Sequence, residues 1–335
     1  MNKNEKRLYG FTIIELLVVI VIIGILASIG VVSYGDIRNR AIITSLQSDL
    51  TNASDQLVID QARNSAGTFP ASLAQADSGA GVTSSPNTTY QYTVNNTNTP
   101  KTFCLTATNG SQNYFITQEG TPLPGPCPVL YLDAGIKTSY SGTGNVWTDL
   151  SGNGNNGTLV NGVVYNSTNG GVLSFDGGSG YVDTGMTDNF SQFSVSVWFY
   201  PTLFYGEKGI VTKYVSGFSN GNWTLELAGS NLLWDINDGT QKSYQFPLTI
   251  NTWYHAVGTY DSAGGTNNGK LYVNGLLRGV FSANAMALNS DRINIGRAST
   301  GLFNGYISNV RIYGRALSAD EISKNFTNLQ ASYGI

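Results

Sequence analysis

The chain has 335 residues, a formal net charge of −3 and 41% hydrophobic residues. At roughly 150 residues per domain it is too long for one small module, and only 12% charged residues with no basic excess argues against a nucleic-acid-binding surface. A single histidine, His255, excludes a multi-histidine metal site, and two cysteines exclude a disulfide-dense scaffold.

Residues 1–10 are polar, with Lys3, Lys6 and Arg7 against Glu5. An apolar run follows from Phe11 to Val32, and its one charge is Glu15. A helix of that length, at about 1.5 Å per residue, crosses a bilayer core of about 30 Å. Its basic end is expected to stay in the cytoplasm. A secretory signal peptide accounts for the run less well, because the sharpest boundary, Gly10–Phe11, precedes the apolar stretch instead of following it. A carboxylate in hydrocarbon is costly unless it snorkels or finds a partner. No cation follows Glu15 at helical spacing, but cleavage after Gly10 would free the amine of Phe11. In a helical fibre, one subunit's Glu15 would meet the next subunit's amine.

The segment Gly10-Phe11-Thr12-Ile13-Ile14-Glu15, followed by an unbroken apolar helix, resembles type IV pilins and pseudopilins. The resemblance implies cleavage between Gly10 and Phe11 by a prepilin peptidase and N-methylation of Phe11. It also implies residence in the cytoplasmic membrane, then packing with other pilin subunits into a filament by pilus assembly machinery. Val32 stands where many pilins carry proline, which removes the usual cause of a helix break there.

From Tyr34 to Arg63 the pattern turns amphipathic, with Ile37, Ala41, Leu46, Leu50, Leu57 and Val58 between charged residues. This predicts a helix over 11–63, with 11–32 as its transmembrane or filament-core part. Residues 64–86 read as a loop. Thr89–Val94, Thr102–Thr108 and Asn113–Thr117 read as strands, completing an α+β pilin module. After export Cys104 and Cys127 would meet an oxidising space, which predicts a disulfide, with two free thiols as the alternative. Their position also resembles the disulfide-closed segment of pilin heads. Pro122, Pro124, Pro126 and Pro128 predict a stiff linker, so that 64–128 comprises head and linker.

Residues 129–335 show the regular strand spacing of an all-β sandwich. Phe193–Phe199 alternates strictly, Asn274-Gly275 between apolar runs signals a hairpin, and Ser318-Ala319-Asp320-Glu321 is a capping box opening a short helix to about Asn325. Several phrases together resemble the concanavalin A-like, laminin G-like jelly-roll family. They are WTDLSGNGNNGTL, GGVLSFDG, FSVSVWFYP, NTWYHAVGTYD, GKLYVNG and FNGYISNVRIYGRALSADEI. That family mostly binds carbohydrate or protein ligands, and some relatives hydrolyse glycans.

A retaining glycosidase of this fold needs two carboxylates close together on one concave strand. No such run occurs: Glu226 stands alone, and Asp235 and Asp238 are three apart. The expectation is therefore no enzyme, and His255 reads as a satisfied sandwich histidine. Asp149, Ser151, Asn153 and Asn155 place oxygens at alternate positions with Gly154 sixth, a calcium-loop arrangement. Asx turns that need no ion are the alternative. Trp223, Trp234, Tyr205, Tyr214 and Tyr244 are either sugar-stacking platforms or core. The leading expectation is a pilin-like fibre subunit at the cell surface, displaying a lectin-like domain for adhesion to a glycan or protein ligand. The alternatives are a minor pilin or pseudopilin of a secretion or DNA-uptake machine, and a membrane-tethered glycan-active enzyme.

Overall fold

The computed structural model describes residues 12–214, 217–299 and 301–335, without the side chains of 27–34 and 36. The expected cleavage point, Gly10–Phe11, lies outside the described residues.

Helix α1 spans Ile13–Arg63, 51 residues, and runs through Gly24 and Gly35 without interruption. Thr12 is its N-cap: the Thr12 hydroxyl accepts from the Glu15 amide, and the Glu15 carboxylate accepts from the Thr12 amide. The described apolar side chains from Ile13 to Leu26 are 45–84% exposed. Among the described residues no helix is long and apolar enough to cross a membrane. The helical backbone of the apolar run, from Ile13 to Val32, is about 30 Å long at 1.5 Å per residue.

The second half of α1 is the floor of a small head. Leu46, Leu50, Ala53 and Leu57 recur at helical spacing and are buried, whereas Ile37 and Val58, expected on that stripe, stay exposed. Four antiparallel strands lie over it in sequence order: β1 (Thr89–Asn95), β2 (Thr102–Asn109), β3 (Gln112–Thr117) and β4 (Leu123–Pro124). The alternation of β2 and β3 sends Phe103, Leu105, Ala107 and Ile116 onto the helix. The expected proline linker is part of this sheet, because Leu123 and Pro124 pair with Phe115 and Tyr114. A proline lacks only its own N–H, so it is tolerated in such an edge strand.

The remainder is a two-sheet sandwich. Its strands are β5 (Leu130–Asp133), β6 (Val146–Trp147), β7 (Gly157–Val160), β8 (Val164–Asn166), β9 (Val172–Asp176), β10 (Tyr181–Asp183), β11 (Gln192–Pro201), β12 (Glu207–Lys213), β13 (Trp223–Ala228), β14 (Asn231–Asn237), β15 (Gln241–Pro247), β16 (Tyr254–Asp261), β17 (Gly269–Val273), β18 (Leu276–Phe281), β19 (Ile293–Ile295) and β20 (Asn304–Tyr313). The first sheet runs β15-β14-β13-β12-β19-β10-β7-β6, and the second β18-β17-β16-β11-β20-β9-β8, with β5 also on β20. The strands pair antiparallel throughout both, the arrangement of a jelly roll. Phe193, Val195, Val197 and Phe199 meet Trp223, Leu225, Trp234 and Ile236 between the sheets. The outer face of the second sheet is covered by α2 (Ala319–Leu329) and the turn after it, which seat Ile322 and Tyr333 on Tyr272, Tyr313 and Trp198. The capping box of Ser318 and Glu321 opens α2, and the helix runs four residues past the expected end.

Candidate functional site

The Asp149 loop is the first place where geometry departs from expectation. Asp149 is fully buried, and both its oxygens are taken. Oδ1 accepts from the amides of Tyr131 and Ser151, and Oδ2 from the Ser151 hydroxyl and the Asn155 amide, all at 2.7–2.9 Å. Asn153 and Asn155 turn their amide nitrogens to the Val129 carbonyl. This donor set is that of nested Asx turns, and it does not fit a calcium ion without giving up those bonds. Burial raises the Asp149 carboxyl above the ordinary range, and the four hydrogen bonds oppose it.

The same loop is a docking element and not a free rim. A Cβ at Gly152 would stand 2.7 Å from the Thr93 carbonyl oxygen, and one at Gly154 would meet the Asn95 side chain. Thr93 is the register partner of Cys104. Cys104 is bonded to Cys127, as expected after export, and is fully buried with Phe115 against Tyr131 and Leu150 of the sandwich. Head and jelly roll thus share a small apolar seam.

A second constellation was hidden in the sequence. Thr224 and Glu226 face outward from the first sheet, since Trp223, Leu225 and Leu227 between and beside them point into the core. Asp235 lies opposite Thr224 across the β13–β14 pair, which makes Glu226 its diagonal neighbour. The Tyr214 hydroxyl donates to Glu226 at 3.5 Å, and Gln241 donates to Asp235. Asp235 Oδ1 and Thr224 Oγ1 are buried without a partner. Burial, with Glu207 and Asp235 nearby, pushes the Glu226 carboxyl up to about 7. Burial likewise pushes Asp235 up to about 6, against the Gln241 hydrogen bond. A search along one strand misses this pair because its members are contributed by two. Both carboxylates are closed off, Glu226 at 3% exposure and Asp235 at 0%. A polysaccharide chain does not reach them in this arrangement.

The open site is at one end of the sandwich, where the segments before β11, after β12 and before β19 meet. They enclose a cavity of about 100 Å³ lined by Asp188, Phe190, Lys213, Trp223, Met286 and Leu288. Lys213 is 1% exposed and donates to the carbonyl and side chain of Asn289. Asn222 donates to Asp291 at 2.7 Å and to the Lys213 carbonyl at 2.8 Å, and Asn189 donates to the Asn289 carbonyl at 2.8 Å. Burial lowers the Lys213 ammonium, while Asp291 and Asp188 pull it back up. Leu288, 82% exposed, forms the lip. The arrangement places fixed donors and acceptors beside apolar surface, in a volume smaller than the roughly 300–1,000 Å³ of a pocket that encloses a small ligand.

His255 lies elsewhere, under α2. Its Nε2 is 2.9 Å from the Ser196 hydroxyl, and its ring stacks on Trp198. Burial depresses it to about 3. Trp223 and Trp234 pack on Phe193 in the core and are not sugar platforms. Tyr214 is buried, whereas Tyr205 is 76% exposed.

Comparison with known proteins accords with this architecture. Residues 6–31 match the prokaryotic N-terminal methylation motif, and residues 176–323 match the concanavalin A-like lectin/glucanases superfamily. The chain therefore couples a type IV pilin signal to a lectin-like jelly roll. No curated protein matches it. Among solved structures, the receptor binding domain of botulinum neurotoxin type G aligns at 21% identity with a TM-score of 0.45, over 60% of this chain and 51% of that one. The receptor binding domain of the botulinum neurotoxin C/D mosaic serotype aligns at 19% identity with a TM-score of 0.48, over 60% and 51%. The chain spans about half the length of these solved chains.

Proposed function

We propose that the chain is a type IV pilin-like fibre subunit that displays its jelly roll for adhesion by non-catalytic ligand capture. The observation that carries this reading is the first part of α1. Its apolar side chains from Ile13 to Leu26 stand exposed in the isolated chain, within the segment that matches the methylation motif. At ~25 cal/mol per Å² of apolar surface, so long a stripe requires a cover. A membrane before assembly and neighbouring helices after it supply one. Glu15, which caps its own helix here, exchanges that bond in the fibre for the amine of a neighbour's Phe11. The mature chain is then external, with the end pocket around Lys213 as the surface for a glycan or protein ligand. Repeated display along a fibre raises avidity by roughly 10²–10⁴ without new contacts where geometry permits.

The N-terminus of chain recovered from sheared surface fibres tests this by mass spectrometry. The expected first residue is methylated Phe11. Recovery of Met1, or of a cut near Ser33, contradicts the reading. Glu15→Ala is expected to keep membrane insertion and to impair assembly.

The Glu226–Asp235 pair favours a second reading, a glycan-active enzyme. Diagonal partners on adjacent strands are close enough for long side chains to approach one another, and a glycosidase needs two carboxyls near one bond. Their closure, at 3% and 0% exposure, weighs against it. Release of reducing sugar that is lost in Glu226→Gln would establish it.

A further inference from the structure

We propose that the seam between head and jelly roll holds a binding site for a small hydroxylated carboxylate, such as a sugar acid. A cavity of about 360 Å³ opens there, lined by Tyr131, Asp133, Ser308, Arg311 and Tyr333 on its inner side. Arg311 is the informative residue. It is 3% exposed, and no carboxylate lies within ion-pair distance of it among the described residues. Its guanidinium has five N–H donors but makes one hydrogen bond, to the Tyr131 hydroxyl at 3.1 Å, and Nε is buried without a partner. Ring faces of Tyr131 and Phe115 flank it at 4.4 and 5.8 Å. A buried cation with unused donors is costly, and the geometry of a guanidinium suits a carboxylate through two parallel bonds.

The rest of the lining selects among carboxylates. Asp133 accepts from the Gly135 amide and the Asn309 side chain. Burial raises the Asp133 carboxyl, while Arg311 pulls it back down, so a ligand hydroxyl can pair with it while the ligand's carboxylate lies on the far side of the guanidinium. The Ser308 hydroxyl donates to the Gly171 carbonyl and accepts from Tyr333, leaving a lone pair toward a ligand hydroxyl. The aromatic rings supply an apolar wall for the flat of a sugar ring. Glu119, Thr121, Asn169 and Ser332 border the mouth and are exposed. The site needs both parts of the molecule, because Glu119 and Thr121 come from the head and Arg311 from the sandwich. It is separate from the end pocket around Lys213, so either can fail without the other.

Titration calorimetry of the full chain in detergent micelles tests the assignment, with glucuronate as probe and glucose as its neutral control. Glucuronate is expected to bind and glucose to show no heat at the same concentration. Removing the charge with Arg311→Gln is expected to weaken glucuronate roughly tenfold or more. Arg311 is buried and that variant can misfold, so Ser332→Trp, at the exposed mouth, is the second arm. It is expected to abolish binding while leaving the melting temperature of the ligand-free chain unchanged. Equal binding of glucose, no binding of glucuronate, or glucuronate binding that survives Ser332→Trp overturns the proposal.

Discussion

At the scale of single residues, three buried titratable groups give the sandwich opposed pH dependences. Glu226 and Asp235 have folded values of about 7 and about 6, above their ordinary 4.5 and 3.8. A raised carboxyl binds its proton more tightly in the folded chain. Between its ordinary and its folded value, each therefore lowers stability as pH rises, by at most about 1.4 kcal/mol for each pH unit crossed. His255 is depressed from 6.5 to about 3, so the folded chain holds it neutral and its contribution is lost as pH drops below about 6.5. The two carboxyls outweigh the histidine, and the raised Asp133 and Asp149 act in the same direction, so stability declines as pH rises from about 4.5 to about 7. Glu226→Gln is expected to remove that group's own share of the decline between about pH 4.5 and about pH 7. A melting profile for that variant identical in slope to the parent's would place Glu226 in water. Asp149→Ala strands the donors of Tyr131, Ser151 and Asn155, and is expected to destabilise by roughly 3 kcal/mol. Calcium and chelator are expected to give the same melting temperature. A calcium-dependent change that Asp149→Ala removes would restore the ion reading.

At the scale of elements, the seam is the feature that sequence could not supply. The strands of the head were legible because apolar and polar residues alternate: the expected Thr89–Val94, Thr102–Thr108 and Asn113–Thr117 each fall within one residue of β1, β2 and β3 at either end. The β17–β18 hairpin was legible because Asn274 and Gly275 both adopt positive φ, as a two-residue turn of that type requires. α2 was legible from its capping box. The Thr12–Glu15 capping box is written in the sequence in the same way, as Thr-x-x-Glu. What was not legible is whatever depends on partners distant in sequence. The Asp149 loop reads as a calcium-loop arrangement because its own residues do not reveal that Thr93 and Asn95 fill the space beside Gly152 and Gly154. The Glu226–Asp235 pair exists only once β13 and β14 are in register.

Two measurements belong to this scale. Gly152→Ala combines a positive φ of 80° with a clash on the Thr93 carbonyl, and is expected to cost more than ~1 kcal/mol. Amide exchange should then rise in both β2 and β5, since the seam joins them. Reduction of Cys104–Cys127, whose ends are 23 positions apart, is expected to cost roughly 3 kcal/mol in the chain-entropy model. Because Cys104 packs on Tyr131 and Leu150, calorimetry should show the sandwich transition move with it. A sandwich that melts unchanged under reductant would mean that the seam carries no coupling.

At the scale of the whole molecule, a helix of 51 residues, about 75 Å long, presents one end to solvent and the other to the head. The head in turn packs on the jelly roll through a seam beside the Cys104–Cys127 disulfide, so a load on the helix reaches the jelly roll through packed side chains. That continuity suits display from a fibre, in which the apolar half of the helix is covered and the sandwich projects. Cryo-electron microscopy of fibres sheared from cells tests this account most directly. It predicts a core of parallel helices continuous with Ile13–Arg63 and one jelly-roll density outside the core for each subunit that carries it, held at a fixed angle to its head. Fibres whose reconstructed core lacks this helix, with the chain recovered only as an unprocessed membrane protein, would contradict it.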